Sequence, residues 1–472
     1  MNLLEVIVYS GMVVGILGGI TVYCVYNYIY WFIKKVPVLH TNFISKMTID
    51  DDTRARVATG NYEKMKEEGH KFCGLVNALK RAMVLIDLDI IEEIMTDWWQ
   101  EHFIYRGFHF GDVYVSPAYE EPPPLDGKDW EDMKARLIPD INGREMETLM
   151  PSILTVSNRM IEALEEYTVH RKDIDVKKFL NNFTIDLVSL HSFKIDSDSF
   201  KHSKESFWLS TWSGWEKTEE NLSRYVYSIV RRGIESRQKC KFSMYCTDLL
   251  LYLKKNHNTP EREHSMLDIL RVALFFHHSF DVACSTLRFA IYELCRNPKI
   301  QKRARTEIQQ VLVKYNGLIT AESLNEMKYL QLIVDETLRM YPPVPNIIRR
   351  CVADYKLETE NFTITKGTRI IVPVFALHRD PQYCPDANTF DPERFCKESK
   401  HFRPPSLYMP YGVGPMELKS IHASLLQCKI GLIRTLCKFR LSLSQKTKVP
   451  LQLDPEVYMQ TVDRLYIKTE RL

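Results

Sequence analysis

The stretch from Ser265 to Arg296 limits the architecture more than any other. Ser265-Met266-Leu267-Asp268 is a capping-box-like start, with Asp standing in for the usual Glu or Gln, and nothing stops a helix until Asn297-Pro298. A helix of that reach spans about 48 Å, longer than the average globular helix. Arg271, His277, His278, Asp281 and Arg288 make it too polar to cross a bilayer. It is therefore expected to be the central helix of a large domain. The 472 residues supply that domain, and no low-complexity linker or internal repeat divides them.

Charge narrows the partners. Lys+Arg 63 against Asp+Glu 60 leaves a net charge of +3, so no bulk basic excess argues for nucleic acid. The eleven cysteines contain no C-x-x-C pair, which fits reduced thiols facing the cytosol better than a disulfide framework. Residues 6–33 carry no ionisable side chain apart from tyrosine and cysteine, enough for a helix to cross a bilayer. Lys34 and Lys35 follow and only Glu5 precedes, so the positive-inside rule leaves the bulk of the chain cytosolic. A cleaved signal peptide is disfavoured, since the run is long and lacks a basic start. The expected organisation is a membrane anchor over 1–35 and a cytosolic domain over 36–472, with Tyr23, Tyr26, Tyr28, Tyr30 and Trp31 at or near the headgroup level.

Taken in order, the chain reads as helices punctuated by short strands. A polar helix (YEKMKEEGHK) and an apolar one (LDIIEEIMTDWW) flank a strand-like run from Ala82 to Ile86. After Pro122, Pro123 and Pro124 a helix restarts at Asp129-Trp130, placing Trp130 and Lys134 on one face. By themselves these two read as a packed tryptophan and a solvated cation. Amphipathic helices are expected over Met146 to Tyr167 and Phe179 to Leu190. A further helix starts near Ser323, with Glu326 completing a capping box, and ends by Pro342-Pro343. Strands are expected at Tyr355 to Leu357, Phe362 to Ile364, Arg369 to Val374, Arg440 to Ser442 and Val449 to Leu453.

Three groups invite chemistry. His277 and Asp281 stand at i and i+4, but without a third ligand at matching spacing a hydrogen-bonded pair is the simpler reading. Glu336 and Arg339 sit at i and i+3 among Leu332, Ile333, Val334 and Leu338. Bare spacing favours an exposed pair. On so apolar a helix, however, the charges are expected to be at least half-buried and therefore hydrogen-bonded. Finally, Pro410-Tyr411-Gly412-Val413-Gly414 is a glycine loop ahead of an amphipathic helix, and such a loop lets backbone approach a ligand closely.

Glu336-Thr337-Leu338-Arg339, followed by Met340-Tyr341-Pro342-Pro343, resembles the E-x-x-R motif of cytochromes P-450. FDPERF at 390–395 resembles the family's PERF element, whose Arg394 would join Glu336 and Arg339 in one buried network. The order of anchor, Trp helix, central helix, E-x-x-R, PERF, glycine loop and final helix matches from end to end. ALHRDP (376–381) and KTKVPLQLDP (446–455) resemble insect microsomal members of the drug-metabolising clan. The resemblance implies a mainly α fold with a small β domain, anchored in the endoplasmic reticulum membrane. It further implies haem (heme) between the central and final helices. The implied reaction is an oxidoreductase's monooxygenation of lipophilic small molecules (hormones, fatty acids, xenobiotics, insecticides), with electrons from an NADPH-cytochrome reductase.

Carried over residue by residue, Trp130 matches a haem-propionate tryptophan and Arg349 a propionate arginine, while Lys134 stands where arginine is usual. Asp281 matches the acid of the central helix. Val282 replaces the threonine that helps deliver protons, and His278 replaces a small alanine. The loop pattern F-x-x-G-x-R-x-C-x-G, set on Tyr411 and Gly414, puts Met416 at the arginine, Leu418 at the haem-ligating cysteine and Ser420 at the second glycine. Leucine has no lone pair for iron. Gly412 and Gly414 mark where haem would lie, and His422 or His278 would be the nearest substitute ligands. The chain is thus expected to be impaired in the family reaction. It would act instead as a lipophile- or reductase-binding pseudoenzyme, or as a haem binder without thiolate ligation.

Overall fold

The structure is a computed structural model that describes residues 3–39, 60, 62–75, 81–97, 99–103, 149–193, 197, 199–201, 266–357, 360–396, 406–412, 421–451 and 464–472. Helices dominate it. The anticipated long helix, α3, runs Met266–Arg296, and every side chain from Val282 to Cys295 is buried. A helix buried on all sides at this depth can only be the centre of the domain, as its length required.

Two helices close over α3. One is α2 (Val176–Phe193), which packs on it through Phe179, Leu180, Phe183 and Leu187; the other is α6 (Ile421–Lys438), through Cys428, Ile430, Leu432 and Leu436. The α3/α6 contact is close because Gly431 has no side chain: a Cβ there would lie 2.7 Å from Leu287 Cδ2. Helices α4 (Pro298–Lys314) and α5 (Lys328–Met340) complete this core. Two of its buried polar side chains are well partnered. Glu293 of α3 accepts from the Tyr341 hydroxyl at 2.5 Å and from Arg296 Nη1 at 3.2 Å, and Gln301 of α4 bonds the carbonyls of Leu294 and Leu441.

A second core lies under a five-stranded sheet ordered β1-β2-β3-β8-β5. Its strands are β1 (Val38–Leu39), β2 (Phe72–Leu75), β3 (Ala82–Leu85), β5 (Ile347–Arg350) and β8 (Arg369–Val372). The β1/β2 and β3/β8 pairs are parallel; β2/β3 and β5/β8 are antiparallel. Strands β4 (Ile174–Asp175), β10 (Tyr466–Arg471) and β9 (Phe439–Leu443) make a smaller sheet. β6 (Tyr355–Leu357) and β7 (Phe362–Ile364) form a hairpin in the expected places.

Several boundaries differ from expectation. The capping box is formed by Thr320 and Ser323, opening a short helix at Ala321–Glu326, and α5 is a separate helix after Met327. Thr320 wins because its hydroxyl reaches the Ser323 amide while the Ser323 hydroxyl reaches back. β8 ends at Val372, since Pro373 cannot donate to a ladder and instead leads into a helical turn, Val374–Leu377. No strand forms at 449–451; β9 pairs instead with β10.

The N-terminal helix α1 covers Leu3–Ile33. Judged on the described residues, no helix is long and apolar enough to cross a membrane. The aromatic belt is only partly as expected. Tyr23 and Tyr26 are exposed, but Tyr30 and Trp31 are buried in the sheet core. Trp31 Nε1 donates to the Leu75 carbonyl at 3.1 Å, its ring lies where a Cβ on Gly74 would be, and Tyr30 shares a hydrogen bond with Thr365. An indole with a buried acceptor and a glycine floor gains more there than at a surface.

Filling the space at Gly431 tests the α3/α6 contact. Gly431→Val is expected to destabilise by about 1–3 kcal/mol in urea unfolding, and Leu287→Ala in the same chain to recover part of that loss.

Candidate functional site

Helix α5 buries both charges of its E-x-x-R segment. Arg339 grips Glu336 with two prongs, Nε to Oε2 at 2.7 Å and Nη2 to Oε1 at 2.9 Å. Two further guanidinium protons go to main-chain carbonyls: Nη1 to His378 at 3.0 Å and Nη2 to Ala387 at 2.7 Å. Glu336 Oε1 also accepts from the Asp391 amide at 3.0 Å. Burial alone would lower the Arg339 pKa, but the hydrogen bonds and charge of Glu336 more than offset it and hold the group above its ordinary value. The spacing thus makes a buried, bidentate pair and not a surface one.

Arg394 arrives from a 3₁₀ turn, Pro392–Phe395, whose cap is the Asp391 carboxylate accepting from the Glu393 amide. Its Nε lies 3.5 Å from Glu336 Oε1 as an ion pair, and its Nη groups donate to the carbonyls of Pro385 and Asp386. Glu336, Arg339 and Arg394 therefore form one network.

The network reaches the glycine loop through a residue that sequence reasoning passed over. His378 is buried; its Nδ1 lies 3.1 Å from the Arg339 carbonyl and its Nε2 accepts the Met409 amide at 3.1 Å. Tyr408 stacks on it and donates its hydroxyl to the Asp335 carbonyl of α5 at 3.1 Å. Burial, with Arg339 and Arg379 alongside, pushes the His378 pKa down to about 3. Nothing in the spacing of ALHRDP signals this role, because both partners are distant in sequence.

Beyond Met409 the chain turns at Pro410 and Tyr411, and Gly412 adopts φ +91°, a conformation that favours glycine. The Tyr411 hydroxyl lies beside Thr286 of α3, bringing the loop to the central helix, and burial holds its pKa well above the ordinary value. Gly414, Met416, Leu418 and Ser420 lie outside the described residues, as do Trp130 and Lys134. The backbones of His278 and Asp281 belong to α3 and that of His422 to α6; their side chains are outside the description. Val282 is buried in α3. Arg349 is buried in β5, with Nη1 donating to the Ile348 carbonyl at 2.9 Å. Cys428, ten residues past Leu418, is sealed in the α3/α6 core, where burial raises its thiol pKa. Among the described residues no cluster of three His, Cys, Asp or Glu side chains could hold a metal ion.

A family model described as Cytochrome P450 matches residues 54–208 and 197–468. The chain belongs to the cytochrome P450 family. It is 28% identical over 450 residues to cytochrome P450 6a2 of Drosophila melanogaster, covering 87% of this chain and 88% of that one. It is 29% identical over 404 residues to cytochrome P450 6j1 of Blattella germanica, covering 80% of each. A third similar protein, cytochrome P450 9e2 of the same cockroach, is 25% identical over 495 residues, covering 91% of this chain and 90% of that one. Its relatives place this cytochrome P450 among the insect members, and haem is the prosthetic group of the family. Membership supports a monooxygenase-type function.

Two measurements test the network of this P450. Arg339→Ala is expected to cost about 3–5 kcal/mol in urea unfolding, because a buried carboxylate loses its two-pronged partner. Arg339→Lys should recover little, since an ammonium cannot form the two-pronged contact. The pH dependence follows from His378, whose pKa falls from 6.5 unfolded to about 3 folded. The unfolded chain takes up this proton first, so the contribution is complete above pH 6.5 and is lost as pH falls toward 3. Thermal melts of His378→Asn across that window should show a shallower loss than the parent.

Proposed function

We propose that this cytochrome P450, as its sequence stands, is impaired in monooxygenation and keeps the fold as a binder of lipophilic small molecules or of the NADPH-cytochrome reductase. The observation that carries this is Leu418, which by spacing from Tyr411 and Gly414 occupies the position of the family's haem-ligating cysteine. Thiolate ligation donates electron density that favours O–O cleavage. A leucine side chain supplies no ligand atom at all. The donor set therefore fits a porphyrin's edge better than its iron: Trp130, Lys134 and Arg349 would face the propionates, with Lys134 lacking the arginine fork. Met416 removes a further cation from that edge.

The distal side supports the same reading. Asp281 keeps the acid of the central helix, but Val282 has no hydroxyl to hold or pass a proton. The frame around the altered loop is meanwhile intact, with Glu336, Arg339 and Arg394 joined and Met409 fixed to His378. Substitution within a preserved frame argues for a pocket retained for binding. A haem held by His422 or His278 is the second reading. It is favoured by their places on the two helices that would flank haem, and it would suit electron transfer or binding more than oxygen insertion.

The remaining assignments follow the family. Helix α1 would anchor the protein in the endoplasmic reticulum membrane, with Lys34 and Lys35 holding the domain on the cytosolic side. Its exposed Val14, Ile16, Leu17 and Val22 support this reading.

Haem titration of the purified full chain tests the proposal. The chain as it stands should take up haem weakly, and Leu418→Cys with Met416→Arg should strengthen uptake by more than about tenfold. No gain in the double variant would remove the loop as the seat of the defect and overturn the reading.

A further inference from the structure

His378 and Arg339 exchange two hydrogen bonds. The Arg339 side chain donates to the His378 carbonyl at 3.0 Å, and the His378 ring lies 3.1 Å from the Arg339 carbonyl. That carbonyl belongs to the last turn of α5, where backbone acceptors have no partner within the helix. Arg379 donates to the next such carbonyl, that of Met340. The other edge of the imidazole faces the Met409 amide at 3.1 Å, immediately before the turn at Pro410 to Gly412.

The two partners fix the chemistry of the ring. A main-chain carbonyl can only accept, so Nδ1 carries the proton. A main-chain amide can only donate, so Nε2 keeps its lone pair. We infer that His378 is a positioning residue: a neutral, Nδ1-protonated imidazole that pins the start of the glycine loop to the helix bearing Glu336 and Arg339. This extends the buried ion pair to the loop itself, along the path Glu336, Arg339, His378, Met409. It does not rest on the reading of Leu418, because both hydrogen bonds lie upstream of the substituted residues.

The charged surroundings favour the same state. On α5 the ring meets the cation Arg339, whose charge Glu336 shares. On its own segment the nearest charge is Arg379. From the loop side Tyr408 stacks on the ring, 5.5 Å between ring centroids, and the Leu407 carbonyl lies close enough to favour the proton, a smaller effect than burial. Asp380, two residues on, is occupied by Tyr62 and Lys66. A second proton on the ring would set N–H against the Met409 N–H in a buried site beside two guanidinium groups, and these costs outweigh the pull of the Leu407 carbonyl.

Three substitutions separate the two hydrogen bonds. In His378→Asn the amide nitrogen reproduces Nδ1 and keeps the bond to Arg339, but cannot reach Met409. His378→Gln places an acceptor oxygen near the position of Nε2 and restores the Met409 contact. His378→Ala removes both. Hydrogen–deuterium exchange of the full chain, followed by mass spectrometry at one neutral pH, reads the peptide containing Met409. Exchange there should be roughly fivefold faster in His378→Asn and His378→Ala than in the parent, and near parental in His378→Gln. Equal exchange in His378→Asn and the parent, or equal acceleration in the Asn and Gln variants, would overturn the assignment. Nitrogen-15 spectra of histidine-labelled parent protein give a check that needs no variant to fold. They should show one ring protonated on Nδ1 at pH 7 and still neutral near pH 5. An Nε2-protonated or cationic His378 at pH 7 would also overturn it.

Discussion

A carboxylate and a guanidinium buried one helical turn apart govern the organisation of this protein. Removing Glu336 and Arg339 from water is expensive, and mutual attraction repays it only where every remaining donor and acceptor is used. The fold answers most of that demand by bringing distant backbone to α5. The carbonyls of His378 and Ala387, the amide of Asp391 and the side chain of Arg394 all converge there. The irregular chain between Val374 and Phe395, with little regular structure of its own, is thereby held in one path. His378 and Tyr408 then hand that order to the loop before α6.

The loop is useful only because it meets a rigid partner. α3 is buried all round from Val282 to Cys295, and Gly431 lets α6 approach it closely enough for Leu287 to fill the gap. Tyr411 reaches the same helix at Thr286. Two devices therefore hold the loop and the central helix, one polar and at α5, one apolar and at the α3/α6 crossing. Both are built from residues outside Val413 to Ser420.

Much of this was legible from residue pattern, for identifiable reasons. α3 announced itself by length and by the stop at Asn297-Pro298, and the Glu336/Arg339 pair by charges set among Leu332, Ile333, Val334 and Leu338. What escaped notice depends on partners far along the chain. β4 is two residues long and has no pattern; it exists because Tyr466 and Ile467 pair with it. Trp31 looked like a headgroup residue because its socket at Gly74 and Leu75 comes from a distant segment, Leu75 lying 44 residues along the chain. His378 stood in a recognisable phrase, yet its two contacts are 39 and 31 residues distant. Spacing reports a face of a helix. It does not report what a later segment will place against that face.

The central claim is that the frame of a cytochrome P450 survives around a loop that no longer offers a thiolate. The absorption spectrum of the purified full chain, reconstituted with haem, reduced and exposed to carbon monoxide, tests this most directly. No thiolate-type Soret band is expected: either no haem spectrum or one of histidine type. A thiolate-type band from the unaltered chain would contradict it.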